Sequence, residues 1–113
     1  MAEKQDQQML IQAQMFQQQL QSIMAQKENM NMQLMEVKKA LEELETVKTS
    51  SDVYKITGPI LIKSDKKDVE KELKEKQESI DLRLKTLTTN EEKLKTRFEE
   101  ITKKLSQNIS VGK

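Results

Sequence analysis

Eleven positions in the first half of the chain follow one another at alternating steps of four and three residues, and all but one of them are apolar. They are Met9, Ala13, Phe16, Leu20, Ile23, Lys27, Met30, Leu34, Val37, Leu41 and Leu44. Apolar residues at this spacing lie along one side of an α-helix and form the seam of a coiled coil. The sequence therefore predicts one long helix over residues 6–48, with Lys27 as the polar exception in its seam.

A second seam of the same kind runs through the second half of the chain. Its apolar members are Leu73, Ile80, Leu84, Leu87, Leu94, Phe98, Ile101 and Leu105, and its polar members are Glu70, Gln77, Glu91 and Asn108. The two seams are mirror images, so a chain that reverses direction near Thr57 joins them into a long antiparallel two-helix coiled coil. Both termini then lie at one end, and Lys27 lies close enough to Glu91 for a charge pair inside the seam.

The second helix is predicted over residues 65–108. Asp65 is placed as its N-cap, and acidic residues follow in the first turn, where the helix dipole favours them. Its weak place is Thr88–Thr89–Asn90, because these residues favour helix interiors poorly. The seam keeps its register across them, so we expect a continuous helix that is locally soft.

Composition agrees with an elongated helical protein and excludes several other classes. Only 35% of the 113 residues are hydrophobic, which is too little for a globular core, and residues 1–113 are interpreted as a single domain. The formal charge of +1, from 20 basic and 19 acidic residues, gives no electrostatic reason to expect nucleic acid as a partner. No apolar run approaches the roughly 20 residues of a membrane span. We therefore expect a soluble, cytoplasmic protein that does not bind membranes.

Catalytic chemistry is not expected. The chain contains no His and no Cys, so the commonest general base and the strongest nucleophile are both missing. It has two Gly residues and no Gly-rich loop that would hold a phosphate. The carboxylates lie on predicted helix exteriors, where they are solvated. The sequence thus predicts a protein that is not an enzyme and has no cofactor and no metal site.

The segment between the helices, residues 52–63, has a different pattern. Two short runs rich in β-branched and aromatic residues flank Thr57–Gly58–Pro59, which predicts a β-hairpin. Its characteristic residues are Val53, Tyr54, Ile56, Gly58, Pro59, Ile60, Leu61 and Ile62. Such a hairpin is apolar on both faces, and an isolated two-stranded ribbon is marginal in water. We therefore interpret it as an assembly element whose edges pair with other chains.

The run from Val53 to Lys63, followed by a charged helix with heptad Leu and Ile, resembles the β-type subunit of prefoldin, and most closely the archaeal form. The resemblance covers the entire chain. It implies a hexamer of two α-type and four β-type subunits, in which the hairpins join into an inter-subunit β-barrel platform that carries six coiled coils. It further implies an ATP-independent chaperone that captures unfolded proteins at the coiled-coil tips and delivers them to a group II chaperonin.

Several apolar residues fall outside the seams, where a two-helix coiled coil exposes them. Near the shared end of the two helices they are Leu10, Ile11, Met15, Ile109 and Val111, which we predict to bind clients. Further along the first helix, Met24, Met32 and Met35 are also predicted to be exposed. The alternative for the residues of the first helix is that a third helix or a neighbouring molecule covers them.

Two classes of function remain from the sequence. The first is a chaperone subunit that holds non-native proteins. The second is a structural coiled-coil tether or spacer without clients. A spacer has no use for a two-faced apolar hairpin in mid-chain, so the hairpin favours the chaperone subunit.

Overall fold

The computed structural model describes the backbone of residues 2–111 and the side chains of residues 4–107. Four elements follow one another along the chain: α1 (Ala2–Glu45), β1 (Val53–Thr57), β2 (Ile60–Ser64) and α2 (Lys66–Val111). The predicted fold class of two long helices around a central β-hairpin is therefore confirmed.

The ends of α1 differ from the predicted bounds of 6–48. The helix ends at Glu45, because the amide and the hydroxyl of Thr46 both donate to the carbonyl of Glu43, at 3.2 and 2.7 Å. These bonds satisfy a carbonyl that the last turn leaves without a helical partner, and residues 46–48 lie outside the helix. The helix begins at Ala2, since residues 2–5 are good helix formers and nothing in them stops the helix.

The second helix starts one residue later and ends three residues later than the predicted range of 65–108. Asp65 occupies the predicted N-cap position, because its carbonyl accepts the first helical hydrogen bond, from the amide of Val69 at 3.1 Å. The helix is continuous through Thr88–Asn90, as predicted. There the hydroxyl of Thr89 donates to the carbonyl of Lys85 at 3.0 Å, which satisfies the polar group inside the helix.

The chain divides into two compact units, and unit 1 consists of Met1–Glu28 and Lys85–Lys113. Within it, Met9 of α1 and Lys104 of α2 line one shallow groove, while Ile23 and Leu94 line another. Because higher residue numbers in α1 face lower ones in α2, the two helical segments of this unit are antiparallel.

Unit 2 consists of Asn29–Leu84. Met30 of α1 and Ile80 of α2 line a common groove within it. The ammonium of Lys66, in the first turn of α2, donates to the carbonyl of Val47, just beyond the end of α1, at 2.8 Å. The helical segments of this unit are antiparallel as well, and the hairpin lies between them in sequence.

Both predicted seams are recovered residue by residue. All eleven seam positions of α1 are buried or half-buried, and so are the seam positions of α2 from Glu70 to Leu105. The side chain of Asn108, the last predicted seam position, lies outside the described residues. The most deeply buried side chains are Ala13, Val37, Leu44, Ile80 and Leu87, which are 3–6% exposed. Burial of a Val, Leu or Ile side chain contributes about 1.5–3 kcal/mol, so these seams are the main source of stability in each unit.

The hairpin is antiparallel, with Val53 paired to Ser64 and Thr57 paired to Ile60. The predicted range of 52–63 is thus shifted, because Ser64 belongs to the ladder and Asp52 does not. Thr57 was predicted in the turn but is the last residue of β1, so that Gly58–Pro59 alone makes the turn. Gly58 has a φ of +58°, and a Cβ there would meet nothing within 4 Å. Glycine is therefore needed for its backbone conformation and not for space.

Candidate functional site

The pairing of the two strands separates the hairpin into two faces, because paired residues of an antiparallel ladder point to the same side. The register places Val53, Lys55, Ile60 and Ile62 on one face, together with the polar residues Thr57 and Ser64, and we call it the Ile60 face. The opposite face carries Tyr54, Ile56, Leu61 and Lys63, and we call it the Tyr54 face. Each face therefore contains three apolar side chains and one lysine, as the sequence predicted for a ribbon with two apolar faces.

Both faces are open to solvent in the single chain. On the Tyr54 face, Tyr54, Ile56 and Leu61 are 60–76% exposed, and on the Ile60 face, Ile60 and Ile62 are 58% and 47% exposed. Among the described residues the sheet contains only these two strands, so the outer edge of each strand has no ladder partner. Exposed apolar side chains together with open strand edges are the features by which a ribbon pairs with other chains.

Within unit 2, three lysines form polar contacts in the hairpin and in the chain next to it. Lys55, on the Ile60 face, forms an ion pair with Glu72 of α2 at 2.8 Å, and Lys63 pairs with Asp52 at 3.4 Å. These pairs are exposed, and pairs of that kind contribute at most about 1 kcal/mol. The Lys66 bond to the carbonyl of Val47 is part-buried and satisfies a carbonyl just past the end of α1. Together these contacts orient the ribbon while leaving its apolar groups uncovered.

The predicted client-binding residues of α1 are exposed. Leu10, Ile11 and Met15 are 52–57% exposed and lie within little more than one turn of α1. Met24, at 54%, is on the same helix in unit 1. The other two predicted residues, Ile109 and Val111, are in the last turn of α2. Their side chains lie outside the described part of the chain, so their place beside Leu10 stays a prediction.

Unit 2 has exposed apolar side chains of its own. Met32 and Met35, predicted to be exposed, are 64% and 71% exposed and line a shallow groove beside charged residues of α1. Sequence reasoning missed Leu82 of α2, which is 67% exposed. The sequence contained the signal, because Leu82 lies between the seam positions Ile80 and Leu84 but is not a seam position itself. Such a residue is expected to be exposed.

The predicted charge pair inside the seam is present. The ammonium of Lys27 lies 3.2 Å from a carboxylate oxygen of Glu91, with their side chains 25% and 13% exposed, and Lys95 approaches the same oxygen at 4.0 Å. Both partners belong to unit 1. A pair of this kind adds little stability because desolvation offsets the attraction, but a slipped register would leave a charge half-buried without its partner. Lys27 and Glu91 therefore fix the alignment of the helices in unit 1.

Two negative findings concern metal binding and membrane-spanning helices. Over residues 4–107 the structure brings together no group of three or more metal-type side chains, so no metal centre is assigned. In the portion of the chain that was described, neither α1 nor α2 has a stretch long and apolar enough to cross a bilayer.

Comparison with known proteins assigns the class. The family model described as prefoldin subunit matches residues 7–110, which is nearly the whole chain. This chain belongs to the prefoldin subunit family.

The relatives and a solved structure that resemble this chain are all β-type prefoldin subunits. The chain is 44% identical over 104 residues to a protein named prefoldin subunit beta from Archaeoglobus fulgidus, covering 92% of this chain and 90% of the relative. It is 43% identical over 97 residues to the protein of that name from Thermococcus onnurineus, covering 86% and 84%. The crystal structure of the prefoldin beta subunit from Thermococcus strain KS-1 superposes with a TM-score of 0.84 at 39% identity, covering 91% and 90%. The resemblance to β-type prefoldin subunits drawn from the hairpin motif is thus confirmed.

Proposed function

We propose that this chain is the β-type subunit of an ATP-independent chaperone, a cytoplasmic hexamer of two α-type and four β-type subunits. In this hexamer the hairpins join into a β-barrel platform. The coiled coils capture unfolded client proteins, which are passed on to a group II chaperonin. The observation that carries the proposal is the hairpin with two exposed apolar faces and two open edges in a member of the prefoldin subunit family.

The exposure of the hairpin supports its role in assembly. An unpaired ribbon with five large apolar side chains 47–76% exposed is an aggregation hazard for a chain that acts alone. The same ribbon becomes stable when further strands pair with its edges and bury its faces. Val53, Tyr54, Ile56, Ile60, Leu61 and Ile62 therefore act as the assembly residues, with Gly58 and Pro59 setting the turn that aligns them.

The exposed residues near the chain termini support client binding. Leu10, Ile11 and Met15 offer apolar contacts on a surface that the described residues leave 52–57% exposed. Methionine is unbranched and adapts to many shapes, so a surface that contains it is suited to partners that share no fixed structure. Ile109 and Val111 are assigned to the same client-binding region on the basis of their sequence positions.

The test is an aggregation assay without nucleotide. The chain is assembled with an α-type prefoldin subunit, and a chemically unfolded protein is diluted into the mixture while light scattering is followed. We expect the complex to suppress aggregation at a near-stoichiometric ratio with no ATP present, because the chain has no phosphate-binding loop. A complex that suppresses aggregation only when ATP is added, or not at all, contradicts the proposal. Bovine serum albumin at the same mass concentration serves as the control for non-specific protection.

A further inference from the structure

The two helical segments of unit 1 differ sharply in charge. In α1, the residues from Gln7 to Gln26 include no charged side chain, and nine of them are Gln. In α2, ten of the residues from Lys85 to Gln107 are charged, and all of these except Glu91 are exposed. Within unit 1, residues 7–26 of α1 are therefore without charge, whereas the α2 segment carries many charges of both signs. We call the exposed side chains of residues 7–26 the uncharged α1 surface.

The apolar groups on this surface are separated from one another. Leu10, Ile11 and Met15 form one cluster, and Met24 is the next exposed large apolar residue. Met24 lies nine residues after Met15, or about 13.5 Å along the helix at 1.5 Å per residue. The intervening outward positions include Gln18 and Gln21, which are exposed. The packing of another helix needs an apolar contact every three to four residues. A helix from a second copy of this chain is therefore a poor fit for the uncharged α1 surface.

An extended polypeptide fits the same pattern. Each Gln carboxamide has a carbonyl acceptor and two N–H donors, which are the groups that pair with the amides and carbonyls of an unfolded backbone. The apolar cluster and Met24 then accept apolar side chains of the client at separate points. Because the surface has no charge, it neither repels nor selects clients by their net charge.

We propose that the uncharged α1 surface is where unit 1 holds its clients, and that it takes extended segments of unfolded polypeptide regardless of their net charge and of salt concentration. This inference rests on the chaperone role proposed above. It assigns client contact in unit 1 to α1 and not to the charged outer side of α2. It also gives the Gln side chains a role as hydrogen-bonding partners of the client backbone.

The experiment adds charge to one side of unit 1 at a time. The test variant contains Gln14→Lys, Gln18→Lys and Gln21→Lys, all at exposed positions of α1. The matched control contains Thr89→Lys, Thr96→Lys and Gln107→Lys, at exposed positions of α2. Each full-length chain is assembled with the α-type subunit. Aggregation of reduced lysozyme, a basic client, and of reduced α-lactalbumin, an acidic client, is then measured at low and at high potassium chloride.

The unmodified complex should protect both clients, with less than about a twofold change in the protective ratio between low and high salt. The α1 variant should lose about fivefold or more of its protection of lysozyme at low salt, regain it at high salt and still protect α-lactalbumin, because like charges now meet at the contact. The α2 control should behave like the unmodified complex.

Equal selectivity in both variants, or none in either, overturns the inference, since clients then do not contact α1 preferentially. A change in the mass of the assembled complex caused by the α1 variant also overturns it, because the surface is then an interface between subunits. If the unmodified complex protects neither client, the chaperone proposal itself fails. If only this inference fails, the unmodified complex still protects both clients. The two failures are therefore distinguishable.

Discussion

A chain in which Ile60 and Ile62 are both replaced by Asp is expected to remain helical but to lose its ability to assemble with the α-type subunit. In the single chain these side chains are 58% and 47% exposed, so the substitutions cost the isolated subunit little. If an assembled sheet buries the Ile60 face, as we propose, each Asp places an unpaired charge there at a cost of several kcal/mol. Since about 1.4 kcal/mol weakens association tenfold, the double variant should be dissociated at micromolar concentrations.

Light scattering coupled to size exclusion measures the mass, and circular dichroism measures the helix content. The matched control contains Met35→Asp and Leu82→Asp, which add the same two charges at exposed apolar sites outside the hairpin. That control should assemble normally. An intact complex from the Ile60 and Ile62 double variant, or equal dissociation of the control, would show that assembly does not depend on this face of the hairpin.

Removal of residues 1–15 together with residues 106–113 is expected to abolish protection of clients while leaving assembly intact. The truncation deletes Leu10, Ile11 and Met15, and it leaves the hairpin in unit 2 untouched. The α1 seam retains its positions from Phe16 to Leu44, so the helices keep most of their buried contacts. Scattering assays with an unfolded client should therefore show no protection, although the complex elutes with six chains.

A point variant separates the loss of these side chains from the loss of chain length. Full-length protein with Leu10→Gln, Ile11→Gln and Met15→Gln keeps the helix, since Gln is a good helix former, but lacks the apolar cluster. We expect it to lose most of its protection. The control with Met32→Gln and Met35→Gln, also exposed in α1, should protect clients normally. A truncated complex that protects as well as the full-length one would place the client-binding surface elsewhere, and loss of protection in the control would point to Met32 and Met35.

The seams were predictable because a coiled coil buries residues by their position in the heptad, and each predicted position within residues 4–107 is buried or half-buried. The same template predicted the Lys27–Glu91 pair, which joins residues distant in sequence. It failed at the C-terminal end of α1, where two hydrogen bonds from Thr46 to one carbonyl end the helix. The spacing of apolar residues in the heptad does not predict such local hydrogen bonds.

The hairpin shows a second limit of sequence reasoning. Alternation along the chain placed Ile60 and Ile62 on one face, but only the observed register shows that Lys55 shares this face and reaches Glu72. Which face becomes buried in an assembly depends on strands supplied by other chains, because the large apolar side chains of both faces are 47–76% exposed in the single chain. Leu82 was predictable, because the argument that exposes off-seam residues such as Leu10 and Met24 applies to it as well.

The mass of the complex formed by the unmodified chain tests the central claim most directly. The chain is measured by native mass spectrometry alone and after mixing with an α-type prefoldin subunit. If its hairpin is an assembly element, the mixture should give one dominant species with two α-type chains and four copies of this 13.2 kDa chain. A mass that stays the same with and without the α-type subunit would contradict the account, and would leave a coiled-coil spacer as the better description of this protein.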